Sequence, residues 1–437
     1  MTYAEAVARL LALRGGEHAG MRPGLERIET LLQALGNPER RYTLAQVGGT
    51  NGKGSVAAML AAMLRADGRR VGLYTSPHLV SFRERIRVNS EAIGEDDVAD
   101  GYDAIATLVA RLDATMFEAT TALALDYFAR EAVDVAVLEV GLGGRLDATT
   151  VGEPAVTALA RIDLDHTEVL GTMLATIAGE KAAIIRSGVA VASAQAPEAA
   201  DVLIARAAAV GVPLLMEGRE LSVHVRARDA SAQVIDCAGP GWRLDALDLP
   251  LLGVYQPSNA LLALAAARVL GVGEAAAREG LARARWPGRF EVFHTGDGVV
   301  VLDGAHNPAG ARALADSLTA WFGDAPITLV FGALRDKDAR GMLAALAPRT
   351  RRLILTASSS PRAAAPDALH AVVPEGTAAV ELAASAREAL VLAAREPRTP
   401  ILCIAGSLSL LGDVLRIARG DKPCPIEKSA DSMGPLF

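Results

Sequence analysis

A cluster of small residues around one lysine is the first part of this sequence with the composition of a chemical site. Four glycines fall within positions 48–54, beside Lys53 and Ser55. A short strand (42–47) is predicted before them and an apolar helix (56–64) after them. Glycines let backbone N–H groups approach an anion, and the helix dipole favours negative charge there. The segment therefore predicts a phosphate-binding loop, although Gly54 separates the lysine from the serine, unlike in the strict Walker pattern. The alternative is a turn whose glycines only serve positive φ angles.

Polar side chains follow further predicted strands in the first half of the chain. They are Ser76, Glu139, Asp163, Asp165 and His166. Open α/β sheets bind ligands beyond the carboxyl ends of their strands, so these side chains are expected near the glycine-rich loop. Hard oxygen ligands shared with nucleotide phosphates are what Mg²⁺ prefers. The alternatives are a cap or ion pair for Glu139 and a structural role for His166.

The second half of the chain repeats this arrangement. Asp303, His306 and Asn307 follow one predicted strand, residues 335–337 follow another, and Ser407 follows a third. Each residue alone is more often a local cap than a catalyst. Because three such turns converge at one sheet edge, the pattern favours a ligand site there.

The glycine-rich stretch EVGLGGRLDATT partly resembles the dinucleotide-binding fingerprint. Gly141 and Gly143 match its first two glycines, but Leu146 occupies the third position and no helix is predicted directly after it. NAD binding is therefore rejected for this segment.

Composition excludes several classes of protein. The net charge of −7 and the pI near 5.6 argue against nonspecific nucleic-acid binding. Three widely spaced cysteines predict a reducing compartment without a zinc or disulfide framework. No apolar run predicts a membrane span. The first residues predict an amphipathic helix and not a signal peptide, so we expect a cytoplasmic protein.

The order of predicted elements indicates an α/β protein. Strands and helices alternate to about residue 290, short antiparallel strands are predicted over 220–249, and a new strand–helix series begins after Pro287-Gly288. We expect domains at 1–288 and 289–420, with a flexible tail at 421–437.

Taken together, these segments resemble the folylpolyglutamate synthase/dihydrofolate synthase family of ATP-dependent Mur-type ligases. The resemblance covers about residues 20–415 and includes GGTNGKGS, YTSPHL, GEKAAI, WPGRFE, LDGAHNPAG and AGSLSLLGDVL. It implies an α/β fold in which an N-terminal P-loop ATPase domain of the Mur-ligase type carries a small antiparallel β subdomain. A C-terminal Rossmann-like doubly wound domain follows and holds glutamate.

The resemblance also implies the reaction. The γ-phosphate of ATP passes to a substrate carboxylate, the α-amine of L-glutamate attacks the acyl phosphate, and an amide forms. Dihydropteroate gives dihydrofolate, whereas the γ-carboxyl of a reduced folate gives a longer polyglutamate. We expect a monomer that binds neither nucleic acid nor membrane.

Site residues are carried over by position. The phosphate cradle consists of Gly49, Thr50, Asn51, Gly52, Lys53, Gly54 and Ser55, with Gln256 and Asn259 near adenine and phosphates. Ligands for two Mg²⁺ sites are Ser55 or Ser76, Glu139 and His166. Lys181 occupies the position of a lysine that the family carbamylates with CO₂, which would supply oxygens to Mg²⁺; the alternative is an unmodified lysine in an ion pair. Arg289, Asp303 and His306 correspond to residues that close over ATP.

Other positions are matched without firm roles. Ser407 resembles part of the glutamate pocket, while Phe117, Thr121 and Arg145 fall near the pterin region. Thr150 stands where the family commonly has Asn, which leaves the local loop geometry open.

Three other functions were weighed. A monofunctional member of the same family remains open. A cell-wall Mur ligase would need a domain for its UDP-sugar substrate, and only about 40 residues precede the P-loop. A nucleotide switch or transport ATPase is disfavoured by the second cluster of strand-end residues.

Overall fold

A computed structural model describes residues 1–13, 24–296, 298–377, 379–395 and 399–420. The predicted tail at 421–437 lies outside the described residues. Within the described part, the strands form three sheets of eight, three and six strands. None of the helices there is both long and apolar enough to cross a lipid bilayer.

The eight-stranded sheet has the order β4-β3-β2-β5-β1-β6-β7-β8 and is parallel except where β3 pairs with β2 and β4. Its strands are β1 Thr43–Gly48, β2 Val71–Tyr74, β3 Ile86–Val88, β4 Glu91–Ala92, β5 Val135–Glu139, β6 Pro154–Leu159, β7 Val189–Ala192 and β8 Leu214–Met216. The central strand β5 is buried throughout, as its continuous apolar sequence predicts.

Ten helices accompany this part of the chain in the described residues. They are α1 Tyr3–Ala12, α2 Glu26–Ala34, α3 Lys53–Ala66, α4 Glu95–Leu112, α5 Met116–Arg130, α6 Thr167–Leu170, α7 Leu174–Ala182, α8 Pro197–Val210, α9 Gln256–Val269 and α10 Glu274–Arg283. Helix α3 packs between the sheet and helices α9 and α10, which explains why it is apolar on nearly every face.

A small antiparallel sheet covers α9 from outside. It contains β9 Ser222–Arg228, β10 Gln233–Gly239 and β11 Trp242–Leu249. The alternating burial of β10 matches the alternating sequence that predicted short antiparallel strands in this region.

The six-stranded sheet has the order β12-β13-β17-β14-β15-β16, with only β12 antiparallel. Its strands are β12 Glu291–Thr295, β13 Gly298–Asp303, β14 Ile327–Phe331, β15 Thr350–Thr356, β16 Ala379–Ala383 and β17 Ile401–Ala405. Its helices are α11 Pro308–Phe322, α12 Ala339–Leu346, α13 Pro366–His370, α14 Ala386–Ala393 and α15 Leu408–Ala418. This is the doubly wound arrangement expected from the strand–helix alternation.

Strand register brings the polar turns to common edges. Val47 pairs with Glu139 and Gly48 pairs with Leu159, so β1, β5 and β6 end at the same level. In the second sheet Ala405 pairs with Asp303, so β13 and β17 end together as well. The turns that follow these strands therefore meet at the edges where ligands bind in such sheets.

Two element predictions were wrong in detail. The sequence of residues 172–186 predicts one helix, but α7 ends at Ala182, and Arg186 donates to the carbonyl oxygens of Thr150 and Gly152 outside the helix. The small and polar residues 357–368 predict a loop, but Pro366 begins the short helix α13.

Candidate ATP and ligase site

The glycine-rich loop joins β1 to α3. Gly52 is the N-cap of α3 at φ +97°, and a Cβ there would overlap the side-chain amide of Asn259. Because a glycine provides no capping side chain, the first N–H groups of α3 have no acceptor from their N-cap residue. The N-terminus of α3 carries positive partial charge and uncapped backbone N–H groups, and the loop backbone lies close to it. This arrangement forms a cradle that fits phosphate.

Two lysines bond the carbonyls of this loop. Lys53 Nζ donates to the Thr50 oxygen at 3.0 Å, and Lys181 Nζ donates to the Gly49 oxygen at 2.9 Å. Burial lowers the pKa of Lys53, while Glu139 opposes the shift. Burial and then the charge of Lys53 lower the pKa of Lys181 to about 7. Two buried amines therefore line the loop, and a bound anion would stabilise their charged forms.

Helix α9 closes one side of the loop. Gln256 Nε2 donates to Ser55 Oγ at 3.2 Å, and Asn259 Nδ2 donates to Gln256 Oε1 at 3.1 Å. All three side chains are buried. The sequence match had grouped these residues around a nucleotide, and the fold brings them together at the start of α3.

Glu139 ends β5 at the level of this loop. Its Oε2 accepts the Ser76 N–H at 3.2 Å. Burial raises the pKa of Glu139, and the nearby Lys53 charge opposes that shift. A buried carboxylate facing buried amines can hold a cation or a proton, depending on what binds.

Asp165 links the two halves of the chain. Its carboxylate accepts Lys337 Nζ at 2.6 Å and Asn307 Nδ2 at 2.9 Å. Lys337 Nζ also lies 3.4 Å from His166 Nε2, and His306 Nε2 lies 3.7 Å from Asp165 Oδ2. The turns after β6, β13 and β14 are therefore joined directly.

Burial and neighbouring charges shift the pKa values of His306 and Asp165 in this cluster. Burial and the Lys337 charge lower the pKa of His306 to about 4, so its ring is neutral at neutral pH. Burial opposes ionisation of Asp165, but the surrounding cationic groups outweigh it and its pKa lies below the usual range. The groups that lower the pKa of Asp165 are His306, Lys337 and His166, and Lys337 also donates a hydrogen bond to its carboxylate.

A reciprocal amide pair lies beside this cluster. Asn51 Nδ2 donates to Asn307 Oδ1 at 3.1 Å, and Asn307 Nδ2 donates to Asn51 Oδ1 at 3.0 Å. Asn51 belongs to the glycine-rich loop and Asn307 caps α11. The phosphate-type cradle thus faces the strand-end turn of the second sheet.

Asp303 holds the linker between the two sheets. It accepts the Tyr255 hydroxyl at 2.9 Å and the N–H groups of Phe290 and Ala305, each at 2.8 Å. Burial raises its pKa and the charge of Arg289 opposes the shift. Arg289 Nη1 donates to the Gly288 oxygen at 3.0 Å. Both side chains lie at the joint of the linker, and their roles toward ATP remain predictions.

The remaining predicted positions fall into two groups. The Thr121 hydroxyl donates to the Tyr74 hydroxyl at 3.1 Å, and the ring of Phe117 lies 5.9 Å from that of Tyr74. These three form an aromatic corner beside Glu139. Arg145 instead makes a two-pronged ion pair with Glu180, next to Lys181 in sequence, at 2.8 Å.

The hydroxyl of Thr150, which stands where the family commonly has asparagine, makes two hydrogen bonds. Its hydroxyl donates to the Gly144 oxygen at 2.7 Å and accepts from Gln46 Nε2 at 3.0 Å. The loop geometry left open by this departure is therefore defined. Ser407 caps α15 by accepting the Leu410 N–H, and the Ser409 hydroxyl donates to it at 3.3 Å.

Sequence reasoning missed several contacts at this site. The sequence identifies Asp165 and Lys337 as strand-end residues but does not indicate that they pair, and it gives no role to Tyr255. An aromatic hydroxyl directly before Gln256 is a signal that the start of α9 faces polar groups. The cross-domain pairs left no local signal.

The protein donors fit Mg²⁺ bound with a nucleotide better than a metal held by protein alone. Among the described residues, no three His, Cys, Asp or Glu side chains gather as a metal site. Ser55 and Glu139 offer hard oxygens near the phosphate-type cradle. Mg²⁺ usually takes one or two carboxylates and completes its shell with phosphates and water.

Comparison with known proteins decides the family. The Mur ligase middle domain model matches residues 47–267, and the Mur ligase glutamate ligase domain model matches residues 288–408. Folylpolyglutamate synthase of Lacticaseibacillus casei is 35% identical over 441 residues, covering 97% of this chain and 100% of that protein. The chain belongs to the folylpolyglutamate synthase/dihydrofolate synthase family. Its α/β fold and small antiparallel sheet are those of this family, as predicted.

Other family members agree. The dihydrofolate synthase/folylpolyglutamate synthase of Mycobacterium tuberculosis is 38% identical over 400 residues, covering 85% of this chain and 82% of that protein. The crystal structure of the M. tuberculosis folylpolyglutamate synthase complexed with ADP and AMPPCP superposes with a TM-score of 0.89 at 36% identity, covering 97% and 99% of the two chains. A probable bifunctional folylpolyglutamate synthase/dihydropteroate synthase of Halobacterium salinarum is 38% identical over 93% of this chain, but the chain spans only 51% of its length.

Proposed function

We propose that this family member is an ATP-dependent ligase that joins L-glutamate to dihydropteroate and to the γ-carboxyl of reduced folates. One observation carries the proposal: the cradle with Lys53 and Lys181 faces the Asp165–Lys337–Asn307 cluster across the two sheets. A ligase needs a nucleotide and an amino acid on opposite sides of one cleft, whereas a simple ATPase needs only the first.

The residues perform the reaction as follows. Lys53 and the N–H groups at the start of α3 hold the phosphates of ATP, and Gln256 and Asn259 fix the loop from behind. A carboxylate oxygen of the folate substrate attacks the γ-phosphorus and ADP leaves. The amine of L-glutamate then attacks the acyl carbon, a proton goes to solvent and inorganic phosphate leaves. Arg289 is proposed to neutralise charge on the transferred phosphoryl group, and His306 to hydrogen-bond it.

Mg²⁺ would be held by Ser55 or Ser76, Glu139 and His166, and would neutralise phosphate charge. Lys181 is proposed to carry a carbamate, which forms when its neutral amine attacks CO₂ and loses a proton. A pKa of about 7 leaves a large neutral fraction at physiological pH, which supports this assignment.

Several further expectations stay proposals. We place the domain boundary at 288/289, which the matches at 47–267 and 288–408 support. We propose a monomer that works in the cytoplasm. Light scattering of the purified protein tests the oligomeric state, and a second copy at micromolar concentration would contradict it.

The decisive assay is incorporation of ³H-glutamate, run separately with dihydropteroate and with a reduced folate. Product with both indicates the bifunctional enzyme, product with one indicates a monofunctional member, and product with neither overturns the proposal. ADP release that does not depend on either acid would instead support a nucleotide switch.

Two variants test the site assignment in the same assay. Lys53→Ala should lose ATP turnover by about 10²-fold or more while the fold remains, because it removes the cation on the phosphates. His306→Ala should lower ATP turnover, because it removes a side chain from the cluster between the two sheets. Arg312→Ala, on the exposed face of α11, is the matched control and should match the unchanged protein.

A further inference from the structure

Helix α15 of the second sheet contacts the segment that carries Ser76. This segment, residues 76–81, runs from β2 to the short 3-10 helix Phe82–Arg85. Gly412 of α15 lies against it so closely that a Cβ would overlap the carbonyl oxygen of Leu79. The helix backbone therefore rests on the segment without an intervening side chain.

A charged hydrogen bond fixes the same contact one turn later. Arg416 Nη2 donates to the Val80 oxygen at 2.7 Å, and its Nη1 donates to Asp413 Oδ1 at 3.3 Å. The Leu79 side chain also packs against the apolar cluster that contains Leu411 and Val414. The contact thus combines apolar burial with a charge-assisted bond of the stronger kind.

Segment 76–81 is itself tied together as one unit. The carboxylate of Glu84 accepts the N–H groups of Leu79, Val80 and Ser81 at 2.8, 3.1 and 2.9 Å. At its other end, Ser76 N–H donates to Glu139 Oε2. A displacement of residues 79–81 would therefore be transmitted along the segment to Ser76, and through its hydrogen bond to Glu139.

The helix is tied equally well on its other side. Asp413 accepts the N–H and the hydroxyl of Ser359, each at 2.6 Å, and Ser358 Oγ lies 2.9 Å from Ser409 Oγ. Ser409 in turn donates to Ser407. A continuous set of contacts runs from the serine-rich edge of the second sheet, through Asp413 and Arg416, to segment 76–81.

We propose that Gly412 and Arg416 are positioning residues that couple the seating of the second domain to the placement of Ser76 beside Glu139. The inference rests on the proposed ligase function for its purpose, since a ligase must form the acyl phosphate only when both domains are in place. Helix α15 thereby holds segment 76–81 in the position in which the Ser76 N–H bonds Glu139.

Hydrogen exchange of the protein without substrates tests the coupling directly. Arg416→Met should speed exchange of the amides in residues 79–81 about tenfold, the ratio expected for losing one charge-assisted hydrogen bond. Arg416→Lys should recover part of the protection. Arg387→Met, an exposed arginine on α14, is the matched control and should leave these amides unchanged.

The same variants then separate positioning from simple stabilisation. If Arg416 positions the segment, the faster exchange is confined to residues 76–84, and the ligase kcat falls at least fivefold while the unfolding temperature barely moves. Unchanged exchange in 76–84, or equal acceleration across the strands of the second sheet, overturns the inference. Gly412→Ala provides a second variant, which should give the same localised exchange.

This experiment distinguishes the two proposals. The exchange measurement uses no substrate, so its result stands whether or not folates are ligated. Absence of glutamate incorporation with any pteroate would overturn the function, whereas slow exchange in the Arg416→Met protein would overturn only the coupling.

Discussion

Removing the buried ion pair between Asp165 and Lys337 should weaken the joint between the two sheets by a measurable and non-additive amount. The two side chains are 8% and 7% exposed and lie 2.6 Å apart. Breaking a buried pair by removing one partner costs about 3–5 kcal/mol. In Lys337→Met, however, Asp165 keeps the Asn307 amide and the N–H of His166. We therefore expect about 2–3 kcal/mol for that variant.

The second variant, Asp165→Asn, leaves the Lys337 ammonium with His166 Nε2 at 3.4 Å. A similar loss of about 2–3 kcal/mol is expected. The double variant should lose less than the sum, because neither charge is then left unpaired. A coupling free energy of about 2 kcal/mol is the predicted result of the cycle.

The assay is urea unfolding, followed both by tryptophan fluorescence and by circular dichroism. A matched control comes from the Arg362–Asp336 pair, which has the same 2.6 Å separation but is 30% and 31% exposed. Its cycle should give at most about 1 kcal/mol, since solvent screens an exposed pair. Equal coupling for both pairs would refute the claim that burial sets the magnitude.

The pH dependence supplies a second check of the sign. Because the pKa of Asp165 is depressed on folding, its contribution is complete above the unfolded value of 3.8 and is lost only as the pH falls below that value. The coupling should therefore be flat between pH 6 and pH 8. A coupling that vanished across that interval would mean that a histidine, and not Lys337, is the essential partner.

Three further outcomes are expected. Depleting CO₂ from the buffer should lower ligase activity and added bicarbonate should restore it, more readily above pH 7, because the neutral amine of Lys181 is the reactive form; no response in the ADP-release assay would contradict the carbamate. EDTA should abolish ADP release and excess Mg²⁺ should restore it, with the circular dichroism spectrum unchanged throughout. Cys237 and Cys403 should resist Ellman's reagent until urea unfolds the chain, because both are buried and burial raises the thiol pKa of Cys237 to about 12. Rapid labelling of either cysteine in the native protein would disagree with the described packing.

The elements with strong local signals could be predicted from sequence. The apolar run 327–331 predicts strand β14, and Pro308 predicts the start of helix α11; both elements have these limits, and β5 is the buried strand that its apolar composition predicts. Edge strands such as β12 and β16 were missed, because short, partly exposed strands lack a clear apolar period.

The site was predictable only in part for a related reason. Strand-end residues identify an edge of a sheet, so Glu139 and Asp303 could be found by their position after apolar runs. Which side chains meet across the two sheets depends on how the sheets are seated. Asn51 and Asn307 are 256 positions apart, and no property of either neighbourhood indicates the other.

The reciprocal amide pair between Asn51 and Asn307 also constrains how this family member can evolve. Within the pair each amide donates once and accepts once; Asn307 also donates to the carboxylate of Asp165 and accepts the N–H of Gly310. Replacing Asn307 by aspartate would set two acidic groups against each other, whereas a hydroxyl side chain would be too short to reach. We therefore expect a substitution at one of these positions to be accompanied by a matching substitution at the other.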